Sequence, residues 1–124
     1  MKSYTDIEQS KKLAEFLPVE SADMFWYRDA VVKENRPRIM SFSQVPKIQS
    51  MYYSPCWSLA ALMHLLPSVI TRKEKRMFLT LEKAGAYNLY YKSPNRLDEL
   101  WETKEELIDA CVTLIEDLHE LNLL

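Results

Sequence analysis

A chain of 124 residues with a single glycine, Gly85, has few ways to turn its backbone sharply. Glycine supplies left-handed turns and lets a backbone approach a phosphate closely, so its scarcity removes whole classes of chemistry. No Gly-rich phosphate loop, nucleophile elbow of the G-x-S-x-G kind or H-E-x-x-H zinc motif occurs. Gly85 also sits between two alternating segments. Met77, Leu79 and Leu81 point one way and Phe78, Thr80 and Glu82 the other, and Tyr87, Leu89 and Tyr91 alternate beyond it. This period of two, interrupted by a glycine, predicts a hairpin.

Three helices are predicted around it. Thr5-Asp6-Ile7-Glu8 has the form of a capping box and starts a helix from Asp6 to Leu17, ended by Pro18. Its apolar face is Ile7, Leu13, Ala14 and Leu17. Ser54-Pro55 suits an N-cap followed by a first helical position. The segment after it, Leu59 to Leu66, is apolar nearly all round, which predicts a buried helix stopped by Pro67. Thr103-Lys104-Glu105-Glu106 is a second capping box, before a stripe of Leu107, Cys111, Leu114, Leu118 and Leu121 widened by Ile108 and Ile115. The aromatic run Met24 to Tyr27 predicts a strand; Asn35-Arg36-Pro37 reads as a turn and Arg38 to Phe42 as the returning strand. The expected architecture is one α+β domain over residues 1–124, in the order αββαββα, with an antiparallel sheet of two hairpins packed against three helices.

With 48% apolar and 27% charged residues, the chain has the composition of a folded domain that needs no disulfide or metal to stabilise it. Two cysteines, Cys56 and Cys111, both in apolar surroundings, suggest free thiols in a reducing compartment. The first residues lack the apolar core of a secretory signal, and no apolar stretch is long enough to span a bilayer. The expected location is cytoplasmic. Net charge is −2 but uneven: residues 28–96 hold twelve Lys and Arg against four acids, and residues 97–124 hold one against nine. Either the basic middle meets an anionic partner, or the acidic terminal helix lies across it and neutralises it.

Several groups of residues suggest chemistry. Cys56 with His64, and Cys111 with His119, repeat one spacing of eight residues. Eight residues of helix rise about 12 Å, while metal–ligand bonds are about 2.0–2.3 Å, so neither pair closes on one zinc ion within its own helix; no metal and no cofactor is expected. Cys56, placed in the first turn of the second helix, is the candidate catalytic thiol, because helix N-terminal N–H groups favour a thiolate. Pro55-Cys56-Trp57-Ser58 is similar to the cysteine–tryptophan pair of papain-like nucleophile helices, but that signature's glycines and glutamine are missing. Its alternative is a small apolar residue packed beside Trp57. Acids at Glu99, Glu102, Glu105, Glu106 and Asp109 are explained by the dipole of the last helix. Arg72, Lys73, Lys75 and Arg76 form a basic run that Arg36, Arg38, Lys47, Lys92 and Arg96 extend in composition. With Tyr52, Tyr53, Tyr87, Tyr90 and Tyr91 nearby, this is the candidate nucleic-acid-binding segment. Its alternative is a solvated loop. Leu121, Leu123 and Leu124 either tuck into the domain or meet a second copy.

Four stretches carry a resemblance: Lys12 to Pro18, Val19 to Met24, Pro55 to Pro67 and Glu106 to Leu124, about a third of the chain. Together they resemble small proteins encoded in gut Bacteroides genomes and their prophage-like elements, a family without an established activity. The resemblance implies a bacterial or phage accessory protein and transfers no site residue. The functional expectation is a non-enzymatic protein-interaction or accessory protein, with a protein partner or self-association. The alternatives are a nucleic-acid-binding module on segment 72–76 and a thiol-dependent enzyme centred on Cys56.

Overall fold

Aromatic and β-branched residues settle at the centres of sheets, and Met24-Phe25-Trp26-Tyr27 does so here as β1 (Met24–Arg28). The computed structural model describes residues 2–28, 35–39, 53–93 and 99–124. Among these it contains α1 (Ile7–Ala14), β1, β2 (Asn35–Ile39), β3 (Tyr53–Cys56), α2 (Leu59–Leu65), β4 (Val69–Arg72), β5 (Lys75–Ala84), β6 (Ala86–Lys92), β7 (Glu99–Lys104) and α3 (Leu107–Glu120). The class is α+β, with two antiparallel sheets ordered β2-β1-β3 and β4-β5-β6-β7. The chain divides into two compact units, residues 3–61 and residues 62–124 joined by 1–2.

In the unit of residues 3–61, α1 packs against β3. The expected cap shifts by one residue: Asp6 caps α1, its carboxylate accepting from the Gln9 N–H at 2.8 Å while the Gln9 side chain accepts from the Asp6 N–H at 3.1 Å. Thr5 is withdrawn into the core instead. Leu13 and Leu17 are buried as expected, but Ala14 is exposed and Ser10 is buried. Asn35-Arg36-Pro37 is strand rather than turn, because it pairs with Tyr27, Arg28 and Trp26 of β1. Pro37 is accommodated because β2 is an edge strand, where a missing N–H costs no ladder bond. Residues Met40 to Phe42 of the expected return strand lie outside the described residues.

The expected helix start at Ser54-Pro55 is also corrected. Pro55 lies in β3, opposite Phe25 of β1, again on an edge. The helix starts four residues later, where the Ser58 hydroxyl accepts from the Ala61 N–H at 3.2 Å and Asp23 holds both the Ser58 N–H and its hydroxyl. The stop at Pro67 is as read from the sequence: α2 ends at Leu65.

In the other unit the hairpin at Gly85 forms, with Ala84 opposite Ala86 and Gly85 at φ +78°. Register confirms the two faces, since Leu79 lies opposite Tyr91, Leu81 opposite Leu89 and Thr80 opposite Tyr90. α3 packs against β6 and β7. It buries Leu107, Ile108, Cys111, Leu114, Ile115 and Leu118, against a face that includes buried Met77, Leu89 and Tyr91. The tyrosine hydroxyl on that face, Tyr91, donates to the Pro67 carbonyl at 2.5 Å.

Three strands escape the sequence reading: β3, where a helix start is expected, β4 and β7. Thr103 belongs to β7 and donates to the Asn88 side-chain oxygen at 2.7 Å, so it caps nothing; Glu106 is the N-cap of α3 and makes no side-chain cap bond. Leu121 leaves the stripe. Asn122 adopts φ +57°, and the bonds Leu123 N–H to Leu118 O at 2.8 Å and Asn122 N–H to His119 O at 3.1 Å close the helix as a Schellman motif. Leu121 and Leu124 therefore remain exposed, so the first of the two expected fates, tucking into the domain, does not hold for them.

β4 and β5 are joined by a two-residue turn, Lys73-Glu74, with φ +51° and +64°. Both positive values match the mirror-image turn that suits the twist of a hairpin, yet neither residue is the glycine or asparagine that tolerates it best. Replacing Glu74 with glycine removes the left-handed strain. We expect Glu74→Gly to raise unfolding stability by about 0.5–1 kcal/mol, read as a higher urea midpoint with an unchanged slope.

Candidate functional site

The candidate thiol belongs to a buried polar cluster with Thr5 and Ser10. Cys56 ends β3, so it has no helix N-terminus to lower its pKa, and it is 0% exposed. The Thr5 hydroxyl lies 3.6 Å from the sulfur and 2.7 Å from the Ser10 hydroxyl, and it accepts from the Trp57 N–H at 3.1 Å. The Trp26 indole N–H reaches the Ser10 hydroxyl at 3.1 Å and the Thr5 carbonyl at 3.3 Å. Burial pushes the Cys56 thiol up, and hydrogen bonds from Thr5 and Ser10 only partly oppose it. A protonated thiol buried beside the Thr5 and Ser10 hydroxyls is a packing element rather than a nucleophile. Cys111 is likewise buried, pushed up to about 12 by desolvation, with its sulfur 3.6 Å from that of Met63. Both cysteines are free thiols.

His64 and His119 are exposed. Among the described residues no three His, Cys, Asp or Glu side chains gather as a metal site.

The basic run becomes the β4–β5 hairpin tip rather than a loop. Its register places Arg72 opposite Lys75 and Thr71 opposite Arg76. Neighbouring residues of a strand face opposite sides of the sheet, so Lys75 shares the α3 side with Met77 while Arg76 shares the other with Phe78. The four cations are close in space but do not form one face. The Arg76 guanidinium stands over the Phe78 ring, 5.8 Å from its centre. Lys92 lies opposite Phe78 on β6. Tyr90 and Tyr91 are buried, which removes them as stacking platforms. Arg36 and Arg38 fall in β2; Lys47, Tyr52 and Arg96 lie outside the described residues.

Among the exposed side chains of this sheet three are large and apolar. Val69 and Phe78, directly opposite each other on β4 and β5, are 37% and 43% exposed, and Leu81 is 46% exposed. Val69 and Phe78 lie on the side of the sheet that α3 leaves open, with Thr71 and Arg76 exposed beside them.

One further pair was not legible from sequence. Glu102 of β7 meets Asp117 of α3, fifteen residues on, with Glu116 nearby. Burial, then the hydrogen bond with Asp117 and its charge, push Glu102 from the ordinary 4.5 to about 7, against the opposing pull of Lys104. At the start of α3, Lys2 bonds Asp109 at 2.8 Å and its backbone N–H donates to Glu106 at 3.0 Å. Glu106 and Asp109 therefore hold the N-terminal segment rather than acting as a catalytic pair.

No family model, curated protein or solved structure matches the chain. Among the described residues no helix is long and apolar enough to cross a membrane.

Two outcomes follow for these groups. Thr5→Val leaves the buried Trp57 N–H without its acceptor, so unfolding stability falls by about 1–3 kcal/mol; iodoacetamide should label native Cys56 only as fast as the unit unfolds. Glu102 binds its proton more tightly folded than unfolded, so its contribution to stability is complete below about pH 4.5 and disappears as pH rises through about 7. Chemical denaturation between those values shows the decline, and Glu102→Gln flattens it.

Proposed function

We propose that this chain is a non-enzymatic interaction protein of the bacterial or phage cytoplasm, which docks a protein partner on the open side of its four-stranded sheet. The observation that carries this reading is the exposed cross-strand pair Val69 and Phe78, with Arg76 stacked over the ring. An aromatic beside an arginine is the kind of pair on which binding energy concentrates in protein interfaces. The thiol-enzyme alternative finds no support in a sulfur that is sealed and protonated. Two buried free thiols suit a reducing compartment.

A second reading, nucleic-acid binding, draws on the same Arg76 and Phe78 with Lys92 opposite, since a basic group beside a stacking ring is how single strands are held. It is the weaker reading because Tyr90 and Tyr91, which would extend the platform on β6, are buried.

A photo-crosslinking residue in place of exposed Thr71 separates the two. In producing cells a discrete adduct that is sensitive to protease and resistant to nuclease is expected, and Phe78→Ser should reduce it by about tenfold. A nuclease-sensitive adduct, with a salt-dependent gel shift, would transfer the function to nucleic acid. No adduct of either kind would remove the docking role from this face.

A further inference from the structure

We infer that the free edge of β5 at Leu81 and Lys83 takes up an extended, acidic segment of another polypeptide as an added antiparallel strand. This rests on the protein-docking reading above and adds to it a second point of contact, at the edge of the same sheet.

The geometry begins with strand lengths. β5 runs for ten residues and pairs with β6 through Ala84, but β4 accompanies it only to Phe78. One more bond, Leu79 N–H to Ser68 O at 3.0 Å, shows that odd-numbered residues of β5 direct their backbone groups toward the β4 side. Beyond it β4 has ended, so the N–H and C=O of Leu81 and Lys83 face outward with no strand beside them among the described residues. Residues 81 to 85 are all exposed.

Edges of this kind invite unwanted pairing, and proteins usually blunt them. The three-stranded sheet does so with a proline in each edge strand, Pro37 in β2 and Pro55 in β3. The open stretch of β5 has no proline, and its register with β6 is unbroken from Phe78 to Ala84, so no bulge twists it away. An exposed leucine, Leu81, stands on it instead.

Charge selects the occupant. A second copy pairing antiparallel through both open residues must centre on Glu82 or on Lys83, and each register sets like charges opposite each other. That is destabilising in a sheet. Glu82 is also held in place by the Tyr90 hydroxyl, which donates to it at 2.7 Å, and Lys83 is poised over the Tyr87 ring at 5.3 Å. A foreign strand escapes the conflict by placing an acid opposite Lys83 and an apolar residue, two positions later, opposite Leu81. Around it the β4–β5 hairpin and the rest of β5 carry Arg72, Lys73, Lys75, Arg76 and Lys83 against Glu74 and Glu82. Main-chain bonds would supply affinity and the alternate side chains specificity, as in other strand-addition sites.

The test is to pan a phage-displayed random heptapeptide library on the full chain and resynthesise the enriched peptides. The expected consensus is an acid followed two positions later by an apolar residue. Peptide binding should slow amide hydrogen exchange at Leu81 and Lys83 but leave Thr80 and Glu82, already bonded to β6, unchanged. Lys83→Glu, on an exposed side chain, should weaken binding by about tenfold. Leu81→Pro, which removes only the outward N–H, should weaken it at least as much, as should N-methylation of the peptide. If Leu81→Pro perturbs the circular dichroism spectrum, Lys83→Glu and the methylated peptide carry the test alone. Peptides whose binding ignores these changes but is lost in Phe78→Ser would overturn strand addition and leave face docking intact. So would a Thr71 adduct without any enriched peptide. Dimerisation protecting the same amides, or oligonucleotide binding in place of peptide, would also overturn it. Loss of both adduct and peptides would remove the underlying reading as well.

Discussion

One helix can cover one side of a four-stranded sheet and no more. The stripe of α3 is spent on the side that carries Met77, Leu89 and Tyr91, all fully buried. Whatever the opposite side displays must then be tolerated by water or covered by something else. Most of it is polar: Thr71, Arg76, Glu82 and Thr103 are exposed there. Val69 and Phe78 break that rule, and isolated apolar residues on a surface are common while a paired valine and phenylalanine under an arginine are less so. The functional reading follows from this asymmetry of cover.

The same asymmetry explains what the amino-acid pattern revealed. Residues 77 to 91 alternate in type, with Met77, Leu89 and Tyr91 buried on one side and Phe78 exposed on the other, which makes the hairpin at Gly85 visible; Tyr90, on the side of Phe78, is a buried exception. The stripe from Leu107 to Leu118 was visible for the complementary reason. β4 was not, since its four residues contain a single buried one, Ile70, too short a run for a period to emerge. Ser54-Pro55 was ambiguous in principle: serine then proline opens a helix well, and proline is equally at home on a sheet edge. Pairing with β1 decided for the edge. At Thr5 the local signal was sound but misplaced by one residue, because the hydroxyl that might have capped α1 is more valuable among Ser10, Cys56 and Trp57, where buried donors need partners.

The candidate site was legible in its residue types and not in its placement. The local pattern at Cys56 suits a helix N-terminus, and the residue ends a strand instead. The cations from Arg72 to Arg76 were read as one patch, and the pleat of the hairpin turns Lys75 and Arg76 to opposite sides. The Glu102–Asp117 contact depends on how β7 meets α3, and β7 itself carries no clear period. Open edges are harder still to see, because they depend on where a neighbouring strand stops.

The bonds from the first residues to the end of β3 also govern assembly. Thr5 N–H donates to the Trp57 carbonyl at 2.9 Å and Leu59 N–H to the Ser3 carbonyl at 3.1 Å. Closing a loop of that length is slow compared with forming a helix or a local hairpin. On the ribosome, α1 must wait in the open until the segment around Trp57 has left the exit tunnel, whereas β4, β5 and β6 pair with near neighbours as they emerge. The stretch from Ser3 through α1 is therefore the part of this unit that stays longest without its partners during synthesis.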